Sequence, residues 1–228
     1  MNSFSRSIVK FHSAIPIQTV GIVGTGLMGR GIAIKHVQQG LSVLLHDVSE
    51  ESLSYTAQKV REEASRAGHF SEEAVIAIQK IEQLSHVDMV IESVVESLSI
   101  KRRILSRIEK ALHPEAILAT NTSSIPITLL ASRLERPENF CGVHFFHPVN
   151  QMQLVEVVRG EKTSQKTIDK VVAHVKSLGK IPVVVKDNPG FVVNRFLSLY
   201  LDSALVLLKE GANPLEIDQV AEEFGMPW

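Results

Sequence analysis

The sequence predicts an α/β fold: a doubly wound parallel sheet followed by an all-helical C-terminal segment. Three observations carry this. Short apolar runs alternate with helical stretches up to residue 187. A glycine-rich turn joins the first run to the first helix. After Asn188-Pro189-Gly190, a strong boundary signal, only helical spacing follows. With 228 residues, 44% hydrophobic and 21% charged, the chain can bury one large or two small cores, which excludes a disordered tail or a stapled miniprotein. Lys and Arg number 24 against 25 acids, so no net field recruits nucleic acid or an anionic membrane. No window reaches the roughly 18 apolar residues of a membrane span. The single cysteine, Cys141, cannot form an internal disulfide, which fits a reducing compartment.

In order, strands are expected at 19–23, 42–47, 87–92, 116–120, 141–145, 153–159 and 181–185. Helices are expected at 28–39, ended by Gly40, and at 50–67, 71–80, 101–112 and 164–178. Beyond the boundary come helices at about 191–209 and 214–224. No Asp or Glu precedes Asp47, and the first dozen residues are Ser-rich, as in a mitochondrial transit peptide. That stretch is short, with only Arg6 and Lys10 as basic residues, so a cytoplasmic location is expected and the mitochondrial matrix is the alternative.

Gly24-Thr25-Gly26-Leu27-Met28-Gly29 matches G-x-G-x-x-G in the context the motif needs, after a strand and opening a helix. Gly24 permits the tight turn, Gly26 lets backbone approach a pyrophosphate, and Gly29 lets the helix pack on the sheet. The helix N-terminus offers N–H groups to the phosphates. Asp47, at the end of the second strand, can accept from adenosine ribose hydroxyls and would repel a 2′-phosphate. Val48 and Ser49 follow it rather than an arginine, so NAD is expected over NADP. The competing reading is a structural turn with a capping Asp.

Alternation in residues 153–159 places Glu156 on one face with Leu154 and Val158. A buried carboxylate needs a partner, and His144 on the preceding strand can supply one. Such a carboxylate orients the imidazole and makes it a better general base. His147 three residues later raises the thought of a metal pair, but no third ligand is assignable and no metal is expected. Asn121-Thr122-Ser123-Ser124 follows a strand at the ligand-binding edge of the sheet, where its hydroxyls could hold a substrate oxygen or cap the next helix. Asn194 is polar within an apolar stretch and must bond substrate or backbone.

These residues resemble the 3-hydroxyacyl-CoA dehydrogenase family of fatty-acid β-oxidation. Residues 21–31, Asn121 to Ser124, His144-Phe145-Phe146-His147-Pro148, Leu154 to Val157 and Pro189 to Arg195 resemble its signatures in order and spacing. Residues 136–142 and 159–164 look more like the dehydrogenase segment of bacterial multifunctional α-subunits. The resemblance implies a Rossmann-type sheet, NAD as cofactor, and oxidation of an (S)-3-hydroxyacyl-CoA to the 3-oxoacyl-CoA. It implies His144 as general base oriented by Glu156. Ser123 and Asn194 would hold the C3 oxygen and nicotinamide region, and Asp47, Glu96 and Lys101 would contact cofactor. His147 stands near the expected nicotinamide pocket, where the family commonly has Asn or Ser.

The expected domains are an N-terminal extension (1–16), an NAD-binding domain (17–187) and a truncated helical substrate and dimerisation domain (188–228). Truncation would leave apolar faces over residues 191–208 uncovered, favouring a homodimer or association with another chain. The alternative function is a catalytically weak or inactive NAD-binding remnant or interaction subunit. Lys59, Arg61 and Arg66 are candidates for CoA contact, against a plain solvated face.

Overall fold

The structure, a computed structural model, describes residues 16–68 and 74–226. Its elements run β1 (Thr19–Val23), α1 (Leu27–Val37), β2 (Ser42–His46), α2 (Glu50–Arg66), β3 (Val75–Ala77), β4 (Met89–Glu92), α3 (Leu98–Ala111) and β5 (Ile117–Thr120). Then come α4 (Ile127–Ala131), β6 (Phe140–Phe145), β7 (Leu154–Arg159), α5 (Gln165–Ser177), β8 (Ile181–Lys186), α6 (Val193–Lys209) and α7 (Pro214–Phe224). One sheet has the order β3-β2-β1-β4-β5-β6-β7-β8. β3 through β6 are mutually parallel; β7 runs antiparallel to β6, and β8 is parallel to β7.

Strand alternation sends successive side chains to two cores. Val20 and Ile22 of β1 and Val43 and Leu45 of β2 pack with α1, α2 and α5 through Ile32, Val60 and Val171. Val23, Val90 and Leu118 face the other way, against Leu105 and Ile108 of α3. Each fully buried Val, Ile or Leu contributes roughly 1.5–3 kcal/mol. Cys141 belongs to the first core, where burial pushes its thiol up to about 12, so it serves as packing rather than as a nucleophile.

Helix ends follow local chemistry. Ser49 caps α2 by accepting from Ser52 N–H, and Ser164 caps α5 from Thr167 N–H. Asn213 and Pro214 open α7, and Gly225 closes it in the left-handed region.

The expected helix at 71–80 is corrected. Residues 71–73 lie outside the described residues; beyond them the chain forms β3, hydrogen-bonded in parallel to β2, then a 3-10 turn over Ile81–His86. Ala74, Ile78 and Ile81 mimic helical spacing, but the open edge of β2 offers backbone partners that outweigh a propensity this weak. The expected N-terminal extension, with its targeting alternative, lies outside the described residues except for Pro16. No helix among the described residues is long and apolar enough to cross a membrane. α6 and α7 bury no residue, and Phe196, Leu199 and Phe224 are 71%, 66% and 83% exposed.

Candidate active site and dinucleotide cavity

At two positions of the turn after β1, Gly24 and Gly29, nothing larger than glycine fits. Gly24 has φ +96, and a Cβ there would stand 2.5 Å from the Ser93 carbonyl oxygen. A Cβ on Gly29 would overlap the Gly24 carbonyl, whereas Gly26 faces open space. Gly26 is the N-cap of α1, with no side-chain cap and no acid in the first turn. The first N–H groups of α1 are therefore left for an anion.

Asp47 braces this turn. Its Oδ2 accepts from Thr25 N–H (2.6 Å) and Thr25 hydroxyl (2.9 Å), and its Oδ1 accepts from Ser49 N–H (2.9 Å). Burial alone would raise its pKa, but these bonds, with one from Val48 N–H, hold the carboxyl below the usual range. Oδ1 keeps a lone pair for a ribose hydroxyl. Thr56 hydroxyl donates to Thr25 carbonyl at 2.8 Å, so α2 pins the loop from behind. Neither Thr25, a hydroxyl inside a glycine motif, nor Thr56, one hydroxyl among several on α2, carries a distinctive signal in the sequence.

Across the sheet edge, Glu96 accepts from Thr122 hydroxyl and from the N–H groups of Ser123 (3.1 Å) and Ser124 (3.3 Å). Burial opposes its ionisation, yet these bonds and the Lys101 charge lower its pKa. Lys101 is 1% exposed; its ammonium bonds Glu92 Oε1 at 2.8 Å and lies 3.4 Å from Glu96. It thus braces Glu96 from behind and does not line the cavity. Between the two edges lies a cavity of about 770 Å³ lined by Gly24, Gly26, Leu27, Met28, Asp47, Glu96 and Ser123 among others. That volume and donor set fit a dinucleotide.

His144 and Glu156 are direct cross-strand partners on β6 and β7. His144 Nδ1–H donates to Glu156 Oε2 at 2.8 Å, with both residues buried, leaving Nε2 as the free lone pair. Glu156 Oε1 accepts from the N–H groups of Val192 (2.9 Å) and Val193 (3.0 Å) at the start of α6. Burial would raise the carboxyl's pKa, but His144 and these two donors lower it. Phe191, at φ +48, is buried with its ring 5.8 Å from that of His144, and Phe146 lies 4.4 Å on another side.

Asn194 is half-buried and donates to Ser123 carbonyl at 3.0 Å, a bond to backbone that ties α6 to the Ser123 loop. Helix α4 is not capped by the Asn121 to Ser124 run: Asp187 accepts from Ile127 and Thr128 N–H at 2.7 Å each. No local pattern reveals a cap from some sixty residues downstream. His147 is exposed and outside the cavity lining, and no cluster of three metal-ligating side chains occurs among the described residues. The CoA candidates on α2 are engaged elsewhere: Lys59 with Glu62, Arg66 with Glu63, and Arg61 with Val75 carbonyl.

Comparison with known proteins agrees with this geometry. Residues 19–188 match the NAD-binding domain of 3-hydroxyacyl-CoA dehydrogenase, and residues 190–228 its C-terminal domain. The fatty acid oxidation complex subunit alpha of Psychrobacter cryohalolentis is 42% identical over 237 aligned positions, covering 97% of this chain. The chain spans 32% of that protein's length. Among solved structures, (S)-3-hydroxybutyryl-CoA dehydrogenase from Ralstonia eutropha is 39% identical, with TM-score 0.83 over 90% of this chain and 77% of that one. The 3-hydroxybutyryl-CoA dehydrogenase of Escherichia coli is 33% identical, with TM-score 0.81 over 87% and 44% respectively. Matched over most of its length, the chain belongs to the 3-hydroxyacyl-CoA dehydrogenase family and carries that family's NAD-binding domain.

Proposed function

We propose that the chain catalyses NAD-dependent oxidation of an (S)-3-hydroxyacyl-CoA to the 3-oxoacyl-CoA, in fatty-acid oxidation in the cytoplasm. The observation that carries this reading is the buried His144–Glu156 bond, which fixes the imidazole with Nε2 free. Nε2 removes the C3 hydroxyl proton, and anionic Glu156 stabilises the imidazolium that results. Ser123 and Asn194, joined at 3.0 Å, hold the C3 oxygen. Gly24, Gly26, Leu27 and Met28 cradle the pyrophosphate, Asp47 takes the adenosine ribose, and Glu96 shapes the nicotinamide side. Bound NAD supplies the hydride acceptor for C3. Lys101 positions Glu96, and His147 stands outside the cavity lining.

The test is NADH oxidation with acetoacetyl-CoA by the purified chain and by His144→Gln. Turnover that falls about 10²-fold or more in His144→Gln, with NADH binding retained, is expected. A second reading, an NAD-binding interaction subunit without turnover, is favoured by the uncovered apolar surface of α6 and α7. NADH binding without any turnover in the unaltered chain would select it.

A further inference from the structure

The segment that joins β5 to α4 carries Ser123, and three side chains from elsewhere in the fold or at its edge hold it in place. At its start, Asn121 Oδ1 accepts from the N–H of Phe145, the residue after His144, at 2.9 Å, which ties the segment to β6. In its middle, Glu96 gathers the Thr122 and Ser124 hydroxyls. At its end, Asp187 takes the first two N–H groups of α4, Ile127 on Oδ1 and Thr128 on Oδ2. The neighbouring side chains are unsuited or committed. Pro126, the N-cap residue, has no side-chain acceptor. Thr122 hydroxyl already accepts from Ile125 N–H at 3.1 Å, and Thr128 hydroxyl accepts from Glu161 N–H at 3.0 Å. Ser123 differs from them: it meets the scaffold through backbone, N–H to Glu96 and carbonyl to Asn194, and it lines the cavity. Its hydroxyl has no partner among the described residues.

We propose that Asp187 is a positioning residue for Ser123: by capping α4 from the end of β8, it leaves the Ser123 hydroxyl free to hold the substrate oxygen. The inference rests on the reading in which Ser123 contacts the C3 oxygen. Without the carboxylate, two N–H groups at the start of the five-residue α4 lack an acceptor. The buried side chain of Ile127 anchors that turn in the core, so the two donors stay beside the segment. The uncommitted hydroxyl there belongs to Ser123, and serine hydroxyls turn readily to a helix N-terminus. A Ser123 that caps α4 no longer faces the ligand. The glycine turn and Asp47, which carry the dinucleotide, are left in place.

The experiment is a double-mutant cycle on acetoacetyl-CoA reduction by NADH, with the unaltered chain, Asp187→Asn, Ser123→Ala and the double variant. Asp187→Asn keeps the size but offers a single acceptor oxygen to two donors. Its kcat/KM is expected to fall about tenfold, with NADH affinity within about twofold of the unaltered chain. Ser123→Ala is expected to fall at least as far. Adding Asp187→Asn to it costs less than about twofold more, because the hydroxyl that the carboxylate protects is already gone. A cap that only stabilises the fold costs the same factor in both backgrounds, and that additivity overturns the inference while leaving the dehydrogenase reading intact. An Asp187→Asn variant as active as the unaltered chain overturns it too. Absence of turnover in the unaltered chain overturns both readings. Asp187→Glu, which keeps the charge but shifts it by one methylene, carries the same cycle if Asp187→Asn fails to fold.

Discussion

Glu156 shows how one side chain does two jobs. Its Oε2 orients His144 and its Oε1 holds the first two N–H groups at the start of α6. Glu156→Gln keeps the shape but brings an amide that cannot satisfy three donors as an anion does. Its kcat/KM for acetoacetyl-CoA reduction is expected to fall 10²–10⁴-fold with NADH affinity little changed, read by steady-state kinetics beside a binding titration. Because the folded pKa of Glu156 lies below its unfolded value, its stabilisation is full above the ordinary carboxylate range and is lost as pH falls through the lowered value. Asp47 follows the same sign. Under the proposed placement of NAD, with the ribose on Asp47, Asp47→Ser is expected to raise NADPH affinity relative to NADH by about tenfold, measurable in the same titration. Both residues were legible in the sequence through strand alternation and strand-end position. The donors from Val192 and Val193 were not, because a backbone N–H thirty-six residues away has no side-chain signature.

At the scale of elements, the glycine turn is the most constrained joint. Gly29→Ala places a methyl on the Gly24 carbonyl, so α1 must lift off the sheet. A loss of roughly 2–4 kcal/mol in urea-denaturation stability is expected, larger than for Gly40→Ala, where a Cβ meets nothing but must adopt φ +77. Strand-turn-helix punctuation made β1, α1 and β2 readable to within a few residues. β3 escaped because a strand of three residues carries too little alternation to compete with apparent helical spacing, and only its neighbour decides it. The reversal of β7 was equally invisible, since an antiparallel strand buried on both faces reads like a parallel one.

Across the whole molecule, α1 and α5 meet through two buried imidazoles. His36 Nδ1–H donates to Ile32 carbonyl at 2.7 Å, so its Nε2 accepts from His174 Nε2–H at 3.0 Å, and His174 Nδ1 is left unpartnered. Burial, with Lys35 adding and the Ile32 bond opposing, pushes His36 down to about 4. Burial and the neighbouring His36 push His174 down to about 3. Both fall below the ordinary 6.5, so the unfolded chain binds more protons in acid. Stability from this pair is therefore full above about pH 6.5 and declines toward pH 4, by on the order of 2 kcal/mol for each imidazole at pH 5. Urea midpoints at pH 7 and pH 5 check this, and the drop is expected to shrink in His174→Leu. The exposed Phe196 and Leu199 belong to this scale too. Concentration-dependent association on gel filtration, reduced by Phe196→Ser, is the expected behaviour.

The carboxylate of Glu156 also makes the imidazole a reporter on the helix that follows it. If α6 drifts by an ångström, two amide donors leave Oε1, the carboxylate binds its proton more readily, and the His144 imidazolium loses its counter-charge. Under the proposed function, ligands that displace α6 without touching His144 would then be visible as a change in turnover.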